Sequence, residues 1–333
     1  MDAEKMKQET QEKQQIDTEM EKALAVVKDP DLKEIFMRIT ERIKDSVLNK
    51  EAEEFKREII KKPRRPEQQV FAFLPHQMAK VSIFFPMSDR ELKEGERKIN
   101  RLEHETGWGK IVIEGIKLAI FEEDIFLTLM KIAKGEIKID KEAYVLETNM
   151  NDAINLLYGE SGYTKKSVER IERTLQHFQL VRFELTTFDW KKKGAERLKT
   201  RITRSIGNIV ESYKYNAKTK DLIIYFNPHF FAYFLESMLT SINFSVRRKL
   251  KKDGSKALLR FLSAHTQPSE MHILTVLNAI NFNTNQPMFR LRDLFKSFIH
   301  ELKKNGVLGP KTKLYSNDTV YFDILSPKRA LPD

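Results

Sequence analysis

The sequence predicts an α+β fold in which two tandem winged-helix domains follow a helical N-terminal arm. Three observations carry this reading. Twice the chain runs through helix, helix, basic helix and paired strands. The first 60 residues contain no glycine and repeat apolar residues at helical spacing. The net charge of +11 is also concentrated in two places. Residues 161–214 carry 13 basic against 6 acidic side chains, residues 241–333 carry 16 against 7, and the stretch between them balances at 2 against 2. A uniform excess would signify little beyond solubility. Two separated blocks are what two footprints on a polyanion require.

Residues 1–66 read as the arm and its linker. Asp29-Pro30 supplies a cap and a first-turn proline, and Leu32, Ile35, Phe36, Ile39, Ile43 and Val47 form one apolar stripe. A semi-ordered amphipathic helix and a partner-docking helix both fit that stripe. Lys61-Lys62-Pro63-Arg64-Arg65-Pro66 then breaks it.

The first domain is expected over residues 67–240. Strand-like runs at Val81–Phe85, Lys110–Ile113 and Lys117–Ile120 lead into a helix from Glu122 to Ala133 with Ile125, Phe126, Leu129 and Ile132 inward. A second short helix covers 149–158, capped by Asn149 or Asn151, and Thr164 caps a third that runs to about Gln179. That third helix sets Val168, Ile171, Leu175 and Phe178 on one face and Lys166, Arg170, Arg173 and His177 on the other. Alternating residues from Val181 to Phe188 and a turn at Trp190–Gly194 suggest a wing immediately after it.

The second domain is expected over residues 241–333. Helices at Ser255–His265, Met271–Ile280 and Pro287–Asn305 precede strands near Lys311–Leu314 and Thr319–Leu325. The third of these helices buries Leu291, Leu294, Phe295, Phe298 and Leu302, and Gly306 supplies a left-handed cap. The two halves share no residue-level identity, so the repeat is one of architecture.

In such a fold the last helix enters the major groove, where an arginine fork matches the acceptors of guanine. The candidate base readers and flanking phosphate contacts are Lys165, Lys166, Arg170 and Arg173 in the first domain, and Arg290, Arg292, Lys296, Lys303 and Lys304 in the second. Lys191, Lys192 and Lys193 at one wing tip, and Lys311 and Lys313 in the other wing, are candidates for phosphate or minor-groove contact. Arg247, Arg248, Lys249, Lys251 and Lys252 would also suit phosphates. For every one of these residues the competing reading is a solvated charged face or turn.

Enzyme signatures are missing. No glycine-rich loop ends in Gly-Lys-Ser/Thr, and the seven histidines show no His-x-His or His-Glu-x-x-His spacing. No catalytic activity, cofactor or metal is therefore expected, and a nicking enzyme would lack its metal-holding histidine pair. Glu122-Glu123-Asp124 reads as first-turn helix charge facing the dipole. The absence of cysteine excludes thiolate zinc sites and fits a reducing cytoplasm. The apolar stretches Leu222–Leu235 and Met271–Phe289 are too short or too interrupted by asparagine and proline to span a bilayer. Gln69-Val70-Phe71-Ala72-Phe73 is similar to the peptide that docks in replication sliding clamps, although a buried strand accounts for it better.

One further pattern runs from Leu74 to Leu129. Leu74-Pro75, Ala79–Phe85, Trp108-Gly109, Gly115, Leu118 and Glu123-Asp124 with Ile125 and Leu129 resemble TrfA-type plasmid replication initiators. Thr164, Lys166 and Ser167, Asn227-Pro228, Arg248–Leu250 and Leu262-Ser263-Ala264-His265 extend the likeness over roughly residues 70–325. The resemblance implies binding to directly repeated sites (iterons) in double-stranded DNA at a plasmid origin, opening of an adjacent AT-rich segment, and recruitment of the host replicative helicase and its loader. It also implies a monomer–dimer equilibrium, with dimers joined through the first winged helix. A regulator binding a single operator is the alternative.

Overall fold

The computed structural model describes residues 71–88, 91–93, 97–132, 137–140, 143–159, 162–188, 201–237, 239–265 and 269–325. The N-terminal arm, Gln69-Val70 and the Lys191–Lys193 turn lie outside them. All the described residues belong to one compact unit spanning 63–333. The described chain opens with β1 (Phe71–Pro75), α1 (His76–Lys80), β2 (Phe84–Phe85), β3 (Lys98–Thr106), β4 (Gly109–Ile116), β5 (Leu118–Ala119) and α2 (Ile120–Ile132). Next come β6 (Ile137–Asp140), β7 (Ala143–Asn149), α3 (Met150–Tyr158), α4 (Lys165–Leu180), β8 (Arg182–Phe188), β9 (Arg201–Gly207), β10 (Val210–Tyr215) and β11 (Asp221–Phe226). The remainder is α5 (Pro228–Glu236), β12 (Leu239–Asn243), α6 (Phe244–Lys249), α7 (Asp253–Ser263), β13 (Ser269–His272), α8 (Ile273–Ala279), α9 (Met288–Lys304), β14 (Lys313–Leu314) and β15 (Thr319–Phe322).

This mixed α and β architecture contains one connectivity twice. Helix, strand, helix, helix, strand, strand is traced by α2, β7, α3, α4, β10 and β11, and again by α7, β13, α8, α9, β14 and β15. The sheets agree as well. The first runs β10-β11-β7, with β6 added outside, and the second runs β14-β15-β13. Every one of these pairings is antiparallel.

The hairpin that completes the first repeat is not the one the sequence suggests. β8 and β9 do pair, but they join β3 and β4 in a separate sheet ordered β3-β4-β8-β9. β4 and β8 match apolar faces, with Ile113 opposite Phe183 and Ile111 opposite Leu185, all four buried. Alternation marks β8 as a strand but leaves its partner open. The β8–β9 pair therefore belongs to an inserted sheet, and the β10–β11 hairpin occupies the wing position.

Local chemistry fixes the helices. Thr164 accepts the Ser167 N–H at 3.1 Å and starts α4, and Asn149 accepts the Asn151 N–H at 2.9 Å and starts α3. Gly306, at φ +70°, closes α9 as the Gly306 N–H reaches the Lys303 carbonyl and the Val307 N–H reaches that of Leu302, both at 3.0 Å. A Cβ on Gly254 would sit 2.2 Å from the Phe298 ring, so α7 meets α9 at a distance that only glycine permits. The expected helix from Met271 starts two residues later, because Met271 pairs with Val320 in the sheet.

β1 pairs with β12 from Phe71 opposite Asn243 to Pro75 opposite Leu239. Phe71–Phe73 thus form the strand that the sequence favours over a docking peptide. β12 itself straddles residue 240, where the sequence reading divides the domains. No helix among the described residues is long and apolar enough to cross a membrane.

Candidate nucleic-acid interface

The two basic helices hold the same place in the two repeats, and each presents cations beside its wing. On α4, Lys165, Lys166, Arg170 and Arg173 are exposed over the first turns. Lys165 approaches Glu169 at 3.8 Å, and the Arg170 guanidinium lies 4.2 Å over the Phe121 ring. His177, expected on this face, is instead buried and bonded to Glu122. The face is the same, but its last turn is covered by the start of α2.

On α9, Arg290, Lys296 and Lys304 are exposed, with Lys296 3.3 Å from Asp293. Arg292 and Lys303 have structural partners. Arg292 donates to the Tyr315 carbonyl and approaches the Asp318 carboxylate at 3.3 Å, both in the wing turn. Lys303 donates to the Thr312 carbonyl at 2.7 Å. Lys311 and Lys313 are exposed on the wing, Lys313 lying 5.3 Å over the Tyr315 ring. Lys191, Lys192 and Lys193 fall outside the described residues.

Several residues were missed by sequence reasoning. Phe289 is 70% exposed in the first turn of α9, beside Arg290, the most exposed large apolar side chain among the described residues. It lies off the stripe of Leu291, Phe295, Phe298 and Leu302, and that offset is the signal that could have flagged it. The wing formed by β10 and β11 carries Lys214 and Lys218, both exposed, and Lys220 at φ +64°. Lys220 lies 5.5 Å over the Tyr163 ring, just before α4. Bonds from Lys220 and Tyr215 hold the Tyr163 hydroxyl below its ordinary range. Wing and basic helix are tied together at that point.

Behind this surface sits a buried ionic junction. Glu122 and Glu123 stand in the first turn of α2, as expected of charges facing its dipole, and both are fully buried. Glu122 pairs with Arg97 and His177 and accepts the Ala119 N–H. Glu123 holds Arg247 at 3.1 Å and Arg260 at 2.5 Å. Asp124 holds Arg247 and Lys256, each at 2.6 Å. Arg247, read from sequence as a phosphate contact, is 1% exposed and joins α6 to α2. Isolated buried charge is costly, which is why each carboxylate here meets a cation. The junction also takes in the Asn281 side-chain amide on the Ser82 carbonyl, His104 on the Asn278 carbonyl, and Trp108 edge-on to Phe261 at 5.0 Å.

No family model and no curated protein matches the chain. Among solved structures it is similar to domains 2 and 3 of RctB, at 10% identity and TM-score 0.44, over 75% of this chain and 98% of that one. A second structure of RctB domains 2–3 gives 10% and 0.42, over 75% and 97%. The Pi initiator protein in complex with iteron DNA gives 12% and 0.42, over 62% and 91%.

Proposed function

We propose that the chain is a plasmid-type replication initiator that grips directly repeated sites in duplex DNA with two tandem winged-helix domains and performs no catalysis of its own. The observation that carries this reading is the repeated connectivity, with the same sheet order and a basic helix before each wing. In that frame α4 and α9 enter successive major grooves about 34 Å apart. Arg290 and Lys296 meet base edges, and Phe289 lies against a thymine methyl, the apolar feature of that groove. Lys166 and Arg173 act from α4. Lys218, Lys304, Lys311 and Lys313 meet phosphates, while Arg292 and Lys303 hold the second wing at a fixed angle to α9. Binding energy is then available to distort the duplex, since bending a site costs on the order of 1–6 kcal/mol.

The sequence resemblance extends this reading to iterons at a plasmid origin, to the host helicase and its loader, and to dimers joined through the first domain. The N-terminal arm is a further candidate for partner docking. The test is a footprint on DNA flanking the chain's own gene. Protection repeating about every two helical turns, roughly 20 bp, with strand opening alongside, is the expected result. A single protected operator without opening would mean a regulator instead.

A further inference from the structure

Between α2, α4, α6 and α7 lies a cavity of about 220 Å³. Four of its lining side chains are cations (Arg170, Arg247, Arg248 and Lys256), and one, Asp124, is a carboxylate. Both Asp124 oxygens are already engaged, Oδ1 by the Arg247 Nε and Oδ2 by the Lys256 Nζ. Arg170 and Arg248 form no ion pair among the described residues. The Arg247 Nη2 is buried without a hydrogen-bond partner, although its guanidinium is 1% exposed. A buried donor left unsatisfied costs about 1–3 kcal/mol, more when charged, so this atom needs an acceptor.

The walls suit an anion of tetrahedral oxygens. The Arg170 guanidinium lies 4.2 Å over the Phe121 ring, a contact that restrains it before any ligand arrives. Arginine forks match phosphoryl oxygens in pairs. Asp253, a further carboxylate in electrostatic reach, has its carboxyl pushed above its ordinary value by burial. Arg248 repels Lys131 and, with burial, lowers that ammonium to about 8.

We infer that this cavity is a phosphate-binding site in which Arg170, Arg248 and the Arg247 Nη2 hold one phosphoryl group. Resting on the function proposed above, the group is a backbone phosphate of the duplex between the two base-reading helices. Arg170 then acts as a clamp on the backbone, contrary to its sequence assignment as a base reader.

The test has two arms, both on the full chain and its Arg170→Ala and Arg248→Ala variants, each first shown to unfold in one cooperative transition like the parent. In the first, a duplex enriched from a random pool is walked with single neutral methylphosphonates. One position should weaken the parent several-fold, cost Arg248→Ala nothing further, and lower the salt slope by about 0.9. In the second, inorganic phosphate and pyrophosphate are titrated calorimetrically into DNA-free protein. Saturable binding lost in Arg248→Ala, without a coupled position on the duplex, would keep the site and assign it to a free phosphate. Absence of both signals overturns the site. If no duplex is enriched at all, the initiator reading fails, and the phosphate titration alone decides the cavity.

Discussion

The two basic helices share one connectivity and use their cations in opposite ways. α4 keeps its first turns exposed and then sinks, His177 descending onto Glu122. α9 runs 17 residues, exposes Phe289 and Arg290 at its entry, and commits Arg292 and Lys303 to its own wing. In the first repeat the brace between helix and wing comes from outside the helix, through Tyr163 and Lys220. A stripe of basic residues in a sequence therefore locates a helix face but does not say which cations are available to a ligand.

The largest effect is expected where the two repeats are joined. Glu123→Ala would leave Arg247 and Arg260, both fully buried, without their shared carboxylate. A loss of about 3–5 kcal/mol follows, read as a lower urea midpoint. An unchanged midpoint would mean that the repeats are held by their apolar contacts alone. Next in size is Arg290→Ala, which should cost about 1–3 kcal/mol on an enriched duplex and little on random DNA. Equal losses on both would remove Arg290 from base reading.

Arg292→Ala sharpens the contrast within α9. With its guanidinium on the Tyr315 carbonyl and Asp318, it should cost about 1 kcal/mol of stability and weaken enriched and random duplexes alike. A larger loss on the enriched duplex would restore the base-reading role that the sequence assigns it. Phe289→Ala is smaller again. One buried methyl-sized contact is worth about 0.8 kcal/mol, roughly fourfold in affinity. Replacing the contacted thymine with uracil should cost the parent that amount and the variant nothing, and a variant that still senses the change would exclude the methyl contact.

Caps and faces were legible in the sequence because they are local. Thr164, Asn149 and Gly306 act where expected, and the buried stripes of α2, α4 and α9 follow helical spacing. What the sequence concealed is non-local. β3 has only Ile99 and Leu102 as apolar residues, three apart, so no strand alternation marks Lys98–Thr106 until β4 lies beside it. The β10–β11 wing was hidden behind an inserted hairpin, because strand alternation carries no partner information. Glu122, Glu123 and Arg247 look like surface charge in one dimension, and only their meeting from elements more than 120 residues apart lets the interior accept Glu123 with Arg247.

The smallest effect concerns pH and tests whether α2 and α6 are truly crowded. Burial, then Arg248, lowers the Lys131 ammonium to about 8 from its ordinary 10.5. The unfolded chain therefore holds that proton more tightly than the folded one. Below pH 8 the lysine is charged in both states and the full penalty is present. Between about pH 8 and 10.5 the folded lysine is neutral while the unfolded one is charged, so stability rises with pH. The gain should not exceed about 1.4 kcal/mol per pH unit. Lys131→Met should flatten this rise in urea midpoints measured from pH 7.5 to 9.5, and Arg248→Ala should shift it to higher pH. A parent whose midpoint falls over that window just as steeply as the Lys131→Met variant would show that Lys131 stays charged in the fold, and that α6 does not press a second cation against it.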